Sequence, residues 1–201
     1  MKHAILPVSA PEGAASPLRA PAPYSELPCG FLPAEFRVKH ATLAWERAGA
    51  YRLRRDVFCE EQGIFDGDDR DEIDGHAHLL VALACVAGMP DAVAGTVRIH
   101  LDAQGRWWGS RLAVDAAYRR HGSLGAALIR LAVCSASALG CHTFLAHVQR
   151  QNVPLFRRLH WQPLEDETLR GRPHTLMRAE LHAYPPFHDM AAGFVACARR
   201  T

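Results

Sequence analysis

Between Asp115 and Val133 the chain reads DAAYRRHGSLGAALIRLAV. Arg119, Arg120 and His121 supply positive charge and hydrogen-bond donors, and Gly122 and Gly125 let a ligand approach the backbone closely. Ser123, Gly125 and Ala126 open a segment in which Leu124, Leu128, Leu131, Ser135 and Leu139 recur at helical spacing and are expected to face a sheet. The first amides of a helix lack intrahelical partners and carry partial positive charge, so a phosphate or pyrophosphate suits this turn. An ordinary capped turn with solvated arginines satisfies the same spacing. Two familiar phosphate loops are excluded, because neither GxxxxGK followed by Ser or Thr nor a GxGxxG after a first strand occurs.

Other groups could move protons or hold ions. Glu60 and Glu61 fall at the end of an early helix, and His100 and His147 fall on strands expected to border a cleft. A histidine needs little adjustment to accept a proton near neutrality, whereas a glutamate must be raised by burial. Glu61 is taken as the candidate base, although a solvated helix end accounts for both glutamates. The loop FDGDDRDEIDG carries six carboxylates against one arginine. It could attract a cationic amine or hold a divalent ion, but a solvated turn with helix caps is preferred, since the EF-hand order and its final glutamate are missing. His76 and His78 are two apart, which on a strand is ligand-like. No third ligand is nominated, and no metal is expected.

These residues need a scaffold, and the chain is long enough for one full core. It has 201 residues, 49% hydrophobic and 22% charged, with a formal charge of +2. That balance excludes wholesale disorder and bulk electrostatic capture of nucleic acid. Six scattered cysteines without a CxxC pair, no secretory apolar region and no apolar run near 20 residues point to a cytoplasmic protein without a membrane partner. Residues 1–33, rich in Pro, Ala, Ser and Gly, read as a flexible tail; 34–184 read as the folded domain; and 185–201 read as a C-terminal helical extension.

Within the domain, EFRVKHATL alternates like a strand and ERAGAYRLRRDVFCEEQ reads as a helix stopped by Gly63. AHLLVALACV and AVAGTVRIHL are strands joined by AGMPD, and RWWGSRLAV leads into the basic turn. After the helix closed by Gly140 come a buried strand HTFLAHVQ, a helix NVPLFRRLHW capped by Asn152, and a strand HTLMRAEL. The layout is α+β with a mixed sheet.

LAVDAAYRRHGSLGAALI resembles the signature segment of the GNAT N-acetyltransferase family, in which a splayed strand precedes an RxxGxG/A loop that cradles the pyrophosphate of coenzyme A. Arg119 and Gly122 fit the first part. GSLGA has one residue more than the usual GxG, so Gly125 or Leu124 takes the last position. The resemblance runs in element order from about Phe36 to Tyr184. VQRQNVPLFRRLHW is similar to the family's later helix, with Asn152 at the small-residue position and Leu159 at the leucine position. Phe156 stands where many members have a tyrosine whose hydroxyl protonates the departing thiolate, and His160 replaces the usual glycine. His160 is named as a candidate replacement acid, with a buried histidine satisfied by backbone as the plainer account. RRDVFCEEQGIF and its acidic loop resemble a branch that includes acyl-homoserine-lactone synthases, and the whole pattern resembles an acetyltransferase-like group encoded beside nitrilases.

The resemblance implies a GNAT-like acyl-CoA N-acyltransferase fold with a splayed central sheet, an α/β three-layer arrangement. It implies acetyl-CoA or another acyl-CoA as co-substrate and the amine of a small molecule as acceptor. Leu112, Ala113 and Val114 would lie beside the pantetheine arm, with an amide near Val114 polarising the thioester carbonyl, and Asn152 and Phe156 would complete the cofactor side. A non-catalytic acyl-CoA-binding module is the alternative, and a metal hydrolase a distant third. A homodimer is left open.

Overall fold

The computed structural model describes residues 32–121 and 123–197. The positions 1–31 that make up nearly all of the expected tail lie outside the described residues, as do Gly122, 198–201 and the side chains of Arg120 and His121.

Eight strands form one sheet in the order β6-β7-β5-β4-β3-β2-β1-β8, antiparallel throughout except for the β4/β5 pair. In chain order they are β1 (Glu35–His40), β2 (His78–Val86), β3 (Met89–Leu101), β4 (Trp107–Val114), β5 (Phe144–Gln149), β6 (Trp161–Leu169), β7 (Arg172–Ala179) and β8 (Phe194–Cys197). Three α-helices accompany them: α1 (Ala44–Arg55), α2 (Leu124–Ala138) and α3 (Val153–Arg158).

Strand β2 is apolar along its length because both of its faces are covered. Leu79, Val81 and Leu83 pack with Ala50 of α1, whereas Leu80, Ala82 and Ala84 join Phe36, Val38 and Ile99 under Leu124, Leu128 and Leu131 of α2. The sheet is thus the middle of three layers. The early helix widens after Arg55 into a π-helical turn, Asp56–Glu61, and Gly63 leaves it with φ +61°. No helix among the described residues is long and apolar enough to cross a membrane.

The elements differ from expectation in several places. The β2/β3 hairpin turns on Ala87 and Gly88 alone, both at positive φ (50° and 77°), so Met89 and Pro90 already belong to β3. Leu139 does not face the sheet: α2 ends at Ala138, Gly140 takes φ +83°, and Leu139 is left exposed. Strand β6 had no counterpart in the sequence reading, and α3 covers only the middle of the helix expected there. The C-terminal extension is corrected from helix to strand. β8 pairs antiparallel with β1, Val38 opposite Phe194, and extends the sheet past residue 184. Gly193 makes this entry feasible, because at φ +68° a Cβ there would stand 2.1 Å from the Val38 carbonyl oxygen.

Candidate active site

β4 and β5 pair only through Trp107/Phe144, Trp108/Leu145 and Gly109/Ala146, and beyond that point they diverge. A bulge in β4 causes the divergence. Thr96 lies opposite Ala113 and Arg98 opposite Ser110, so Arg111 and Leu112 together oppose Val97 alone, with Arg111 at φ +55°. The extra residue bends the strand away and leaves ladder groups unpaired. Gly109 permits the last pair, since a Cβ there would press on the Phe144 ring at 3.0 Å.

The divergence opens a cleft of about 680 Å³. Ile129, Ala132, Phe144, Phe156 and Trp161 form an apolar wall on the side of α2 and α3, and Gln62, Asp71, His100, Trp108, His147 and His174 form a polar one. Leu112 and Asn152 line it as well. The Ala113 side chain is instead buried against Leu53, Val57 and Phe58, and Val114 carries the chain on toward the basic turn.

That turn is a 3-10 helix, Ala116–His121, started by Asp115, whose carboxylate accepts the Ala117 amide at 2.9 Å. Arg119 folds back so that its Nε donates to the Val114 carbonyl (2.8 Å) while Nη1 and Nη2 donate to the two oxygens of Glu61 at 2.6 Å each. The hydrogen bonds from Arg119 outweigh desolvation and hold the Glu61 carboxyl below its ordinary range. A general base at neutral pH needs the opposite shift, so the geometry speaks against Glu61 in that role. Gly125 lies in the first turn of α2 against β4, where a Cβ would meet only Val114 Cγ2, at an ordinary 3.9 Å. Open backbone at a helix start beside an arginine suits a pyrophosphate.

The acidic loop is in part the solvated turn with helix caps that was expected: Asp66, Asp68 and Glu72 are exposed, and Asp71 caps a short 3-10 helix, Glu72–Gly75, its side chain accepting the Ile73 amide. It is also part of a charge network. Asp69, Asp71 and Asp74 are tied to Arg54 of α1, Arg98 of β3 and Arg111 of the β4 bulge. Arg54 and Asp69 are completely buried and joined at 2.9 Å; Arg54 reaches Asp74 at 2.6 Å; and Arg111 reaches Asp69 at 2.8 Å. Burial opposes the charged form of Asp74, but the hydrogen bonds from Arg54 and the Asp71 amide, with the charges of Arg54 and Arg98, outweigh it and push the carboxyl far below its ordinary range. Phe65 is stacked between the guanidinium groups of Arg111 and Arg170, each 4.3 Å from the ring centre. Among the described residues no group of three or more His, Cys, Asp or Glu is arranged to hold a metal ion. Arg98, set between Val97 and Ile99 on a strand, was a sequence signal of this network, because a charge on a buried strand requires a partner.

The histidines divide sharply. His160 ends α3 at φ +61°, is 64% exposed, and has Nδ1 3.7 Å from Glu180. It lies off the cleft and is not buried, which corrects both accounts of it: the position demands a left-handed backbone rather than an acid. His76 and His78 do not act as a pair, since His76 packs edge-on to His100 (6.2 Å) while His78 stacks toward Trp107 (5.9 Å). His100 and His147 do line the cleft. Burial, then Arg98 and His76, lower the pKa of His100. Phe156 packs edge-on against Trp161 at 5.0 Å, and no tyrosine is among the cleft-lining residues. The hydroxyl of Tyr184 is engaged with the Trp161 indole and the Leu159 carbonyl, away from the cleft, and burial pushes its pKa up to about 12.

A central sheet split between a bulged β4 and a parallel β5, with a basic glycine turn leading into the next helix, is the architecture of an acyl-CoA N-acyltransferase. Residues 43–161 match the model of the acetyltransferase (GNAT) family, and the chain belongs to that family. Solved structures share the fold. A provisionally assigned N-acetyltransferase from Lactobacillus plantarum is 23% identical, with a TM-score of 0.64 over 73% of this chain and 98% of that one. An acyl-CoA N-acyltransferase from Pseudomonas aeruginosa is 23% identical, with a TM-score of 0.53 over 72% and 98%. FeeM, an N-acyl amino acid synthase from uncultured soil microbes, is 12% identical, with a TM-score of 0.59 over 74% and 93%. No curated protein matches the chain. Family membership makes acyl-CoA the co-substrate and supports N-acyl transfer as the general reaction.

Proposed function

We propose that the protein transfers an acyl group, acetyl in the first instance, from its coenzyme A thioester to the amine of a small molecule by direct attack. The observation that carries this reading is the cleft itself: it passes between the split strands, apolar on the α2 and α3 side and polar on the other. The thioester and the amine can then meet from opposite sides of the sheet, in the close placement that aminolysis requires. On this reading Arg119 and the amides at the start of α2, with Gly122, Ser123, Gly125 and Ala126, hold the pyrophosphate. The exposed edge of β4 from Leu112 to Val114 runs beside the pantetheine arm, and one of its amides polarises the carbonyl, a contribution of about 2.7–4 kcal/mol where such donors have been removed. Asn152 and Phe156 bound the arm from the side of α3.

A second reading, a binding module that holds acyl-CoA without turnover, is favoured by one observation. The ring of Phe156 lies where a hydroxyl acid would be useful and carries none. The test is a melting curve with and without acetyl-CoA, followed by free-thiol release against a panel of amines. Stabilisation with release supports the enzyme; stabilisation without release from any amine supports the binding module; and no stabilisation defeats both.

A further inference from the structure

We propose that His147 is the group that takes the proton from the attacking amine, with Glu167 as its positioning residue; this rests on the acyl-transfer reading above. His147 is the first β5 residue past the last β4/β5 pair, Gly109/Ala146, and so stands at the apex of the split. Its neighbours Phe144, Ala146 and Val148 are built into the core beside α2, while Gln149, two residues on and on the same strand face as His147, bonds to Gln62 of the polar wall at 3.0 Å. His147 therefore belongs to the acceptor side of the cleft.

Two contacts lock the ring. Nδ1 is in close contact with Glu167 Oε1 of β6, and the imidazole stacks on Trp108 of β4 at 5.0 Å and 17°. Trp108 is itself fixed, its indole N–H donating to Asp102 at 2.8 Å. A carboxylate only accepts, so Nδ1 carries the hydrogen and Nε2 is left with the lone pair that a base needs.

The other cleft histidines are poorer choices. His174 bonds through Nδ1 to the Arg172 carbonyl at 2.9 Å, a neutral partner that offers an imidazolium less than a carboxylate does. His100 has a buried Nδ1 with no partner among the described residues and lies beside Arg98, which disfavours a second positive charge. Among the described residues, the charged or titratable groups nearest His147 are Glu167 of β6, His174 of β7, which pairs with Glu167, Arg178 of β7, which pairs with Leu145, His100 of β3, which pairs with Trp108, and the Asp102–Arg106 pair at Trp108; Asp71, Arg98, Arg111 and Arg170 line the same cleft.

The step balances as follows. The ammonium gives one proton to His147 Nε2, and the freed nitrogen lone pair attacks the thioester carbon. The C–N bond forms as C–S breaks, the sulfur leaves with the bonding pair, and the nitrogen's second proton ends on that sulfur. His147 returns its proton to water.

The test compares His147→Ala, His147→Gln, Glu167→Gln and His174→Ala, using as acceptor an amine that the wild type acylates. Each variant is first shown to be stabilised by acetyl-CoA as the wild type is. Loss of His147 is expected to lower kcat roughly 10²–10⁴-fold at neutral pH with KM for acetyl-CoA unchanged, to erase the acid limb of the rate profile, and to be partly rescued by added imidazole. Independently of activity, nitrogen NMR of the imidazole should show a protonated Nδ1 and a bare Nε2 in the free protein, a preference weakened in Glu167→Gln, whose amide can donate as well as accept, and lost in Glu167→Leu, which offers no acceptor. A kcat within twofold of wild type in both His147 variants, or the full loss falling on His174→Ala instead, overturns the proposal. If the wild type binds acetyl-CoA and acylates no amine, the acyl-transfer reading itself fails and takes this proposal with it.

Discussion

Arg119 holds Glu61 in a two-pronged ion pair, 2.6 Å on each arm, while its Nε grips the Val114 carbonyl at the end of β4. The same guanidinium that suits a pyrophosphate is thus already occupied by a carboxylate. An incoming anion must share it or displace Glu61. Removing the Glu61 charge by Glu61→Gln is expected to tighten acetyl-CoA binding severalfold, and Arg119→Ala to weaken it about tenfold, or 1.4 kcal/mol. Calorimetric titration reads both. If Glu61 were the base, Glu61→Gln would instead cost kcat roughly 10²–10⁴-fold.

Gly125 separates binding from stability. Its Cβ position is open apart from Val114 at 3.9 Å, and it stands in a helix, where alanine is favoured over glycine by up to about 1 kcal/mol. Gly125→Ala should therefore raise the melting temperature of the free protein slightly and reduce the further rise caused by acetyl-CoA. A variant that melts higher and binds equally well would remove the start of α2 from the pyrophosphate site.

The buried arginine and aspartate network sets a pH window. Asp74 has its folded pKa depressed relative to an unfolded value of about 3.9, so its stabilising contribution is complete above that value and drains away as pH falls below it. Asp71 shifts in the same direction, with burial opposed by the Arg98 hydrogen bond and the charges of Arg98 and Arg111. Asp74→Asn is expected to cost about 1.5–3 kcal/mol at pH 7 by urea denaturation, because it leaves Arg54 with Asp69 alone and Arg98 with Asp71 alone, and to flatten the loss of stability between about pH 5 and pH 2. Equal slopes in wild type and variant would mean that the pair carries no linkage.

Gly193 is the entry point of β8. Gly193→Ala would place a methyl group against the Val38 oxygen and Lys39 Cβ at φ +68°. The expected cost is about 1–3 kcal/mol, with faster hydrogen exchange confined to β8 and the facing edge of β1. Unchanged exchange there would mean that the strand is held by something other than this turn.

The parts of the fold that were legible in the sequence are those where one side chain in two or in 3.6 meets the core. β2 is a continuous apolar run because both of its faces are covered, and α2 shows its stripe because Leu124, Leu128 and Leu131 all reach the sheet; β5, expected to be buried on both faces, instead leaves His147 exposed and Gln149 half-buried at the cleft. β6 escaped notice because WQPLEDETL is mostly exposed and has no apolar alternation to betray it. β8 is four residues long and half solvated, so composition pointed to a helix and pairing with the free β1 edge decided otherwise. In the site, the turn at Arg119 was visible from local residue types. The clamp on Glu61 was not, being a contact across 58 positions, and neither was the arginine and aspartate network, whose arginines lie at 54, 98 and 111. The bulge hangs on Arg111 adopting a left-handed backbone, which nothing in GSRLAV announces.

Three residue pairs join β4 to β5, and the strands on either side of that seam are otherwise sewn antiparallel into two separate panels. The width of the gap is thus governed by the side chains wedged into it, Ile129, Ala132 and Phe156 among them, rather than by a backbone ladder. Such a construction uncouples the size of the cleft from the architecture: trimming or enlarging one lining side chain resizes it, and neither panel has to be rewoven.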